Sequence, residues 1–191
     1  MDMTKYYYDT SLVLHFMYND EELESNSFSP IAKKPCYTSF LTLQEAVNVY
    51  INRGAITEYH DKHIDFKEFI YRLNKLETYF EIFESTNLKI NFNVIKAKLL
   101  KSLISMSESG IDMKADKDKG EKVLNGMDLM HLLIADYAGC DIFLTEDSGF
   151  RYIKRIANYI EFNKLERIFI FKSREQLKEY EEIQVKRVDH S

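Results

Sequence analysis

The chain has no tryptophan, and only 2 cysteines, 2 prolines and 6 glycines in its 191 residues. Two cysteines, Cys36 and Cys140, cannot build a disulfide framework. With no signal-like N-terminus they read as reduced, buried thiols of a cytoplasmic protein. The shortage of glycine and proline argues against a loop-rich architecture. No apolar run approaches the roughly 18 residues of a spanning helix, so a soluble protein without membrane contact is expected. A basic excess is also lacking: the formal net charge is −5, which does not match the usual footprint of a nucleic-acid binder. Acids gathered round metal ions would lower the total without repelling phosphate. No repeat or linker composition divides the chain, so residues 1–191 are expected to form one domain, its core built largely from 13 Tyr and 13 Phe.

Strands and helices alternate along the sequence. Residues 5–9, KYYYD, read as a short strand and TSLVLHFM as a helix; the polar stretch 19–35, broken by Pro30 and Pro35, reads as a loop or frayed helix. CYTSF is a second strand. From Thr42 a helical stripe of Leu43, Ala46, Val47, Tyr50 and Ile51 ends before Gly54. Asp65 caps a helix with the stripe Phe66, Phe69, Ile70, Leu73, Leu76, Phe80 and Phe83, and LKI at 88–90 is a brief extended piece. A further helix carries Phe92, Ile95, Leu99, Leu103 and Met106, so residues 55–110 form an extended helical section, followed by a charged loop at about 107–122. A buried helix, MDLMHLLIADYAG, has Gly139 as its C-terminal cap. Strand DIFLT, helix GFRYIKRIANYI, strand RIFIF and helix SREQLKEY come next, the last with capping-box spacing between Ser173 and Gln176. This order implies an α/β fold: a three-layer α/β/α domain with a mainly parallel, twisted sheet of four to five strands.

In such a sheet, ligands bind beyond the carboxyl ends of the strands. Four acids are placed there: Asp9 ending the first strand, Glu45 in the first turn of the helix after CYTSF, Asp128 opening the buried helix, and Asp147 just past DIFLT. Each also has a bland role. Asp9 could cap the helix at Thr10, Glu45 could be solvated, Asp128 could complement a helix dipole, and Asp147 could form an Asx turn before Gly149. Four such accidents at one sheet edge are less economical than one carboxylate cluster. Clustered, buried carboxylates need a positive compensator, and hard oxygen donors point to Mg²⁺ or Mn²⁺ rather than zinc.

YYYDTSLVL, SFLTLQEAV and MDLMHLLIADYAGCDIFLTEDSGF resemble the successive motifs of a PIN domain over roughly residues 5–171. The third is the specific one, with an Asp-x-x-His helix start (Asp128, His131) and a Thr-x-Asp strand exit (Thr145, Asp147). The resemblance implies a metal-dependent endoribonuclease, leaving 5′-phosphate and 3′-hydroxyl ends. Asp9, Glu45, Asp128 and Asp147 would be both the catalytic residues and the ligands of one or two Mg²⁺ or Mn²⁺ ions. Thr10, Thr145 and Ser148 would orient carboxylates or water. Arg151, Lys154 and Arg155 are candidate contacts to the RNA backbone, with Lys96, Lys98 and Lys101 as substitutes. A single-domain member suggests the toxin of a toxin–antitoxin pair, with RNA as substrate, an antitoxin-like protein partner and a homodimer as expected assemblies.

Other signals are weaker. His60 and His63 lie in a polar connector, and Asp112, Asp116 and Asp118 lack the order of a calcium loop. His131 reads as a structural hydrogen-bonding residue, Glu146 as an accessory acid, and Asp141 lies at the wrong end of its strand. Asp136, inside the buried helix, needs a partner. The competing functions are a silent PIN fold used for RNA binding or assembly, and a phosphatase with Asp9 as nucleophile. Ser11 stands where that phosphatase chemistry needs a second Asp.

Overall fold

The computed structural model describes residues 4–18, 36–53, 64–83, 91–111, 124–171 and 176. Its elements are β1 (Tyr6–Tyr8), α1 (Thr10–Tyr18), β2 (Cys36–Ser39), α2 (Phe40–Arg53), α3 (Phe66–Tyr79), β3 (Glu81–Phe83), α4 (Phe92–Glu108), α5 (Gly126–Tyr137), β4 (Ile142–Thr145) and β5 (Arg167–Ile170). All pairings are parallel, in the order β3-β2-β1-β4-β5. The chain moves outward from β1 through β2 to β3, then returns to place β4 on the other side of β1. The reversal of strand order therefore lies between β1 and β4, where an open parallel sheet leaves a crevice at its carboxyl edge.

Alternation along each strand divides the core in two. Tyr6, Tyr8, Ile142 and Leu144 pack with α1, α2 and α3 on one face. Tyr7, Tyr37, Phe143 and Phe83 pack with α4, α5 and the segment 148–160 on the other. This is the expected three-layer arrangement, with five parallel strands.

Several expectations change in detail. The helical section between 55 and 110 is interrupted by β3, because Glu81, Ile82 and Phe83 pair with Tyr37, Thr38 and Ser39. Phe80 and Phe83 fit a helical stripe equally well, so periodicity alone extends α3 too far. Phe66, Ile51 and Phe92 are exposed rather than core. The segment 149–160 is a 3-10 turn (148–152), one short α-turn (153–156) and a second 3-10 turn (157–159) instead of a continuous helix. Helix α2 begins at Phe40, two residues earlier than the apolar stripe suggests, so Glu45 lies in its second turn. The Asp65 cap is present, its side chain accepting from the Glu68 amide. Gly139 (φ 74°) sits in a Schellman turn, with Cys140 N–H on the Ala135 carbonyl and Gly139 N–H on that of Asp136. Pro30, Pro35, Gly54, LKI at 88–90, Asp112, Asp116, Asp118, the Ser173 cap, His60 and His63 lie outside the described residues. So does most of the loop expected at 107–122, although α4 runs on to Glu108.

Asp136, buried in α5, has its partners. One oxygen accepts from the amides of Asn163 (2.6 Å), Lys164 (2.7 Å) and Leu165 (3.1 Å), and the other from Lys98 Nζ at 2.8 Å. Lys98 is therefore half-buried and engaged by Asp136, and the exposed Lys101 pairs with Glu161. Burial would raise the Asp136 carboxyl, but Lys98 and the three amides outweigh it and hold it below its ordinary value. A lowered folded value means stability that is present above the unfolded carboxylate value, about 3.9, and is lost as pH falls through the lower folded value. Asp136→Ala strands the Lys98 ammonium and three amides. It is expected to cost about 3–5 kcal/mol in urea denaturation at neutral pH, with the gap to wild type closing below about pH 4.

Candidate active site

Asp9 comes directly after β1, and its amide continues the ladder to the Leu144 carbonyl (3.0 Å). Its own carbonyl accepts from Leu12 and Val13 and so opens α1, the backbone half of a cap. The side chain turns elsewhere. Oδ2 accepts from the Thr145 hydroxyl at 2.7 Å and the Ser11 hydroxyl at 3.0 Å. Thr145 Oγ1 in turn accepts from the Asp147 amide at 2.9 Å, and Ser11 Oγ accepts from the Glu146 amide at 3.0 Å. Two hydroxyls, Thr145 buried and Ser11 half-buried, thus tie the ends of β1 and β4 together around one carboxylate oxygen.

The other three acids are held in the same one-sided way. Asp128 is the third residue of a capping box, its Oδ2 accepting from the Asn125 amide at 2.7 Å. Asp147 caps the 148–152 turn, its Oδ1 accepting from Gly149 N–H at 2.7 Å. Glu45 Oε2 receives the Thr10 hydroxyl and lies 3.0 Å from His131 Nε2. In each acid the side-chain hydrogen bonds within the described residues converge on one oxygen. The bland roles of Asp128 and Asp147 are real, but each occupies half a carboxylate.

Of the expected supporting residues, Thr10 and Thr145 sit against Glu45 and Asp9. Ser148 is exposed and its hydroxyl makes no hydrogen bond among the described residues. Ser11, next in sequence to Thr10, takes that part. Arg151 is exposed on the turn after Asp147, and the side chains of Lys154 and Arg155 lie outside the described residues. Asp141 accepts from the Lys5 amide at the opposite end of β4, away from the site. Glu146 contributes its backbone to Ser11.

His131 is more than a helix neighbour of Asp128. Buried in α5, it meets Tyr7 Oη through Nδ1 (2.7 Å) and Glu45 through Nε2, and Tyr7 Oη also lies in hydrogen-bond contact with Ser39 Oγ at 2.7 Å. Tyr7 has no sequence signal beyond its place on a strand, and Ser39 only its place in the SFLTLQEAV motif before Glu45; neither names a partner.

The electrostatics arise from these contacts. Burial pushes His131 down, but Glu45, Asp9 and Asp128 outweigh it and hold the imidazole above its ordinary value. Burial raises Glu45, and the bonds from His131 and Thr10 bring it below the usual carboxylate range, as expected for an ion pair. Asp9 is raised by burial despite His131, Thr145 and Ser11. Asp128 is pushed to about 6, by burial first and then by the charges of Asp147 and Asp9, against the Asn125 amide. Asp128 therefore lies within electrostatic reach of both Asp147 and Asp9, and His131 offsets only part of their effect.

No protein-family model matches the sequence, and no curated protein matches it. The solved structure of VapBC2 from Rickettsia felis bound to a DNA fragment from its promoter is 15% identical, with a TM-score of 0.46 over 86% of this chain and 98% of that one. Function is therefore to be sought in the chemistry of the residues.

The raised Asp128 gives a pH signature. A folded value above the unfolded one means that the carboxyl favours folding while protonated, and that this stability is lost as pH rises from about 4 towards about 6. Asp128→Asn keeps an oxygen for the Asn125 amide and removes the charge. Without added metal, its melting temperature is expected to exceed that of wild type at pH 7.5, with the difference vanishing near pH 4. A lower melting temperature at pH 7.5 would contradict this electrostatic account.

Proposed function

We propose that the chain is a metal-dependent endoribonuclease of the PIN type. The observation that carries this reading is the one-sided anchoring of Asp9, Glu45, Asp128 and Asp147. Protein donors fix one oxygen of each acid and leave the other for a ligand, at the carboxyl edge of the sheet where the strand order reverses. The motif resemblance supplies the reaction class.

The donor set fits Mg²⁺ or Mn²⁺ in chemistry: all hard oxygens, with Asp128 raised by burial and then by its acidic neighbours. Among the described residues, no three His, Cys, Asp or Glu side chains stand close enough as they are to close on an ion. A bound cation would offset the repulsion that Asp128 feels from Asp147 and Asp9. Asp9, Asp128 and Asp147 would hold the ion through their unanchored oxygens, with Glu45 beside them. The metal would supply a bound water of lowered pKa and charge stabilisation at the phosphate. Thr145 and Ser11 keep Asp9 turned towards the crevice. The capping contacts of Asn125 and Gly149 do the same for Asp128 and Asp147.

Purified protein is expected to cleave single-stranded RNA with Mn²⁺ or Mg²⁺, leaving 5′-phosphate and 3′-hydroxyl ends, and to stop in EDTA. Asp9→Asn is expected to lower kcat/KM by at least about 100-fold while the protein stays folded. Full activity in EDTA or an unaffected variant would sink the reading; binding of RNA without any cleavage would favour the silent alternative. On the same resemblance we place the chain with the toxins of toxin–antitoxin pairs. Expressed alone, the wild-type protein is expected to arrest growth of a bacterial host and Asp9→Asn is not, as read from growth curves.

A further inference from the structure

We infer that His131 and Tyr7 are positioning residues for Glu45, holding it from the opposite face of the sheet through a buried hydrogen-bond chain. The inference rests on the proposed role of Glu45 beside the cation. Among the described residues, Glu45 is the one acid of the four with no backbone amide or neighbouring strand end to hold it. It projects from the second turn of α2 on a long side chain, which keeps considerable rotamer freedom unless other side chains restrain it. Thr10 supplies one restraint and His131 the other.

The route of that restraint crosses the molecule. Helix α2 packs mainly on the Tyr6 and Tyr8 face of the sheet, and α5 on the Tyr7 face. His131 reaches over the carboxyl edge to a helix in the other layer. Its ring is fixed from behind by Tyr7, which lies fully buried with its ring stacked on Phe143 at 5.3 Å and edge-on to the imidazole at 5.9 Å. Tyr7 and Phe143 are register partners in β1 and β4. The pairing that sets Asp9 through Thr145 therefore also sets Glu45 through Tyr7 and His131.

The hydrogen count gives the direction of the bond. Tyr7 has one O–H hydrogen and two neighbours, Ser39 Oγ and His131 Nδ1, each at 2.7 Å. If that hydrogen goes to Ser39, Nδ1–H must donate to Tyr7, and an ionised Glu45 then requires a second hydrogen on Nε2. If the hydrogen goes to Nδ1, the neutral ring carries its hydrogen on Nε2. In both arrangements Nε2–H donates to Glu45 Oε2, leaving Oε1 outside the chain.

The test measures cation binding directly. Mn²⁺ is titrated calorimetrically into the intact wild-type protein, His131→Leu, His131→Gln and Tyr7→Phe at one pH, with the melting temperature of each recorded. His131→Leu is expected to weaken Mn²⁺ binding by about 10–100-fold, as loss of an outer-shell partner does. His131→Gln, which keeps an N–H donor, is expected to recover much of that loss. Tyr7→Phe, which deletes one oxygen, is expected to fall between wild type and His131→Leu, and it carries the test if His131→Leu does not fold. Unchanged Mn²⁺ affinity in the folded variants, with only a lower melting temperature, would overturn the inference, as would a His131→Gln protein no better than His131→Leu. Absence of Mn²⁺ binding in the wild-type protein would instead sink the metal reading itself, and this inference with it.

Discussion

The hydrogen bond from Thr145 to Asp9 is the constraint on which the site depends. It joins the ends of two neighbouring parallel strands, and the same hydroxyl receives the Asp147 amide. Its position is set by the β1–β4 register, in which Tyr6, Tyr7 and Tyr8 oppose Ile142, Phe143 and Leu144. A slip of one residue would exchange the two faces of β1, sending Tyr7 away from His131 and Thr145 away from Asp9. Core packing guards against that slip, because Tyr6 and Tyr8 fill one core while Tyr7 fills the other.

Structural and chemical roles are not rivals at this edge. A carboxylate has two oxygens, and a cap or strand-end bond uses one. Asp128 and Asp147 satisfy turn and helix amides that any protein would have to satisfy, and in doing so they fix the direction of the remaining oxygen. The cost appears as the raised carboxyl of Asp128. His131 relieves part of the charge, yet it is already bound to Glu45 and Tyr7.

The sequence made the parallel sheet legible, along with its strand-end acids, because alternation, strand exits and caps are local signals. Asp9, Asp128 and Asp147 sit within a residue or two of such signals. Glu45 was found on the right helix but a turn too early, since Phe40 reads as the end of a strand when it opens the helix. Strand β3 was hidden in a helical stripe, and its identity depends on pairing with β2, which no local pattern displays. The role of Ser11 in place of Ser148 turned on which hydroxyl meets Asp9 in space. The chain from Ser39 to Glu45 joins residues up to 124 positions apart; His131 reads from the sequence as a structural hydrogen-bonding residue, but its link to Glu45 through space has no local signal.

The order in which these strands are made has a consequence for biosynthesis. Strand β1 emerges first from the ribosome, yet the hydroxyl that fastens its Asp9 lies 136 residues later. The ring that stacks on Tyr7 is on the same late strand. A growing chain can pair β1 with β2 early, but the crevice between β1 and β4 closes only after β2, β3, their helices and β4 have all been synthesised. Long-range closure of this kind is slow compared with local helix formation. Nascent and truncated chains therefore carry the acids without the geometry that makes them a site.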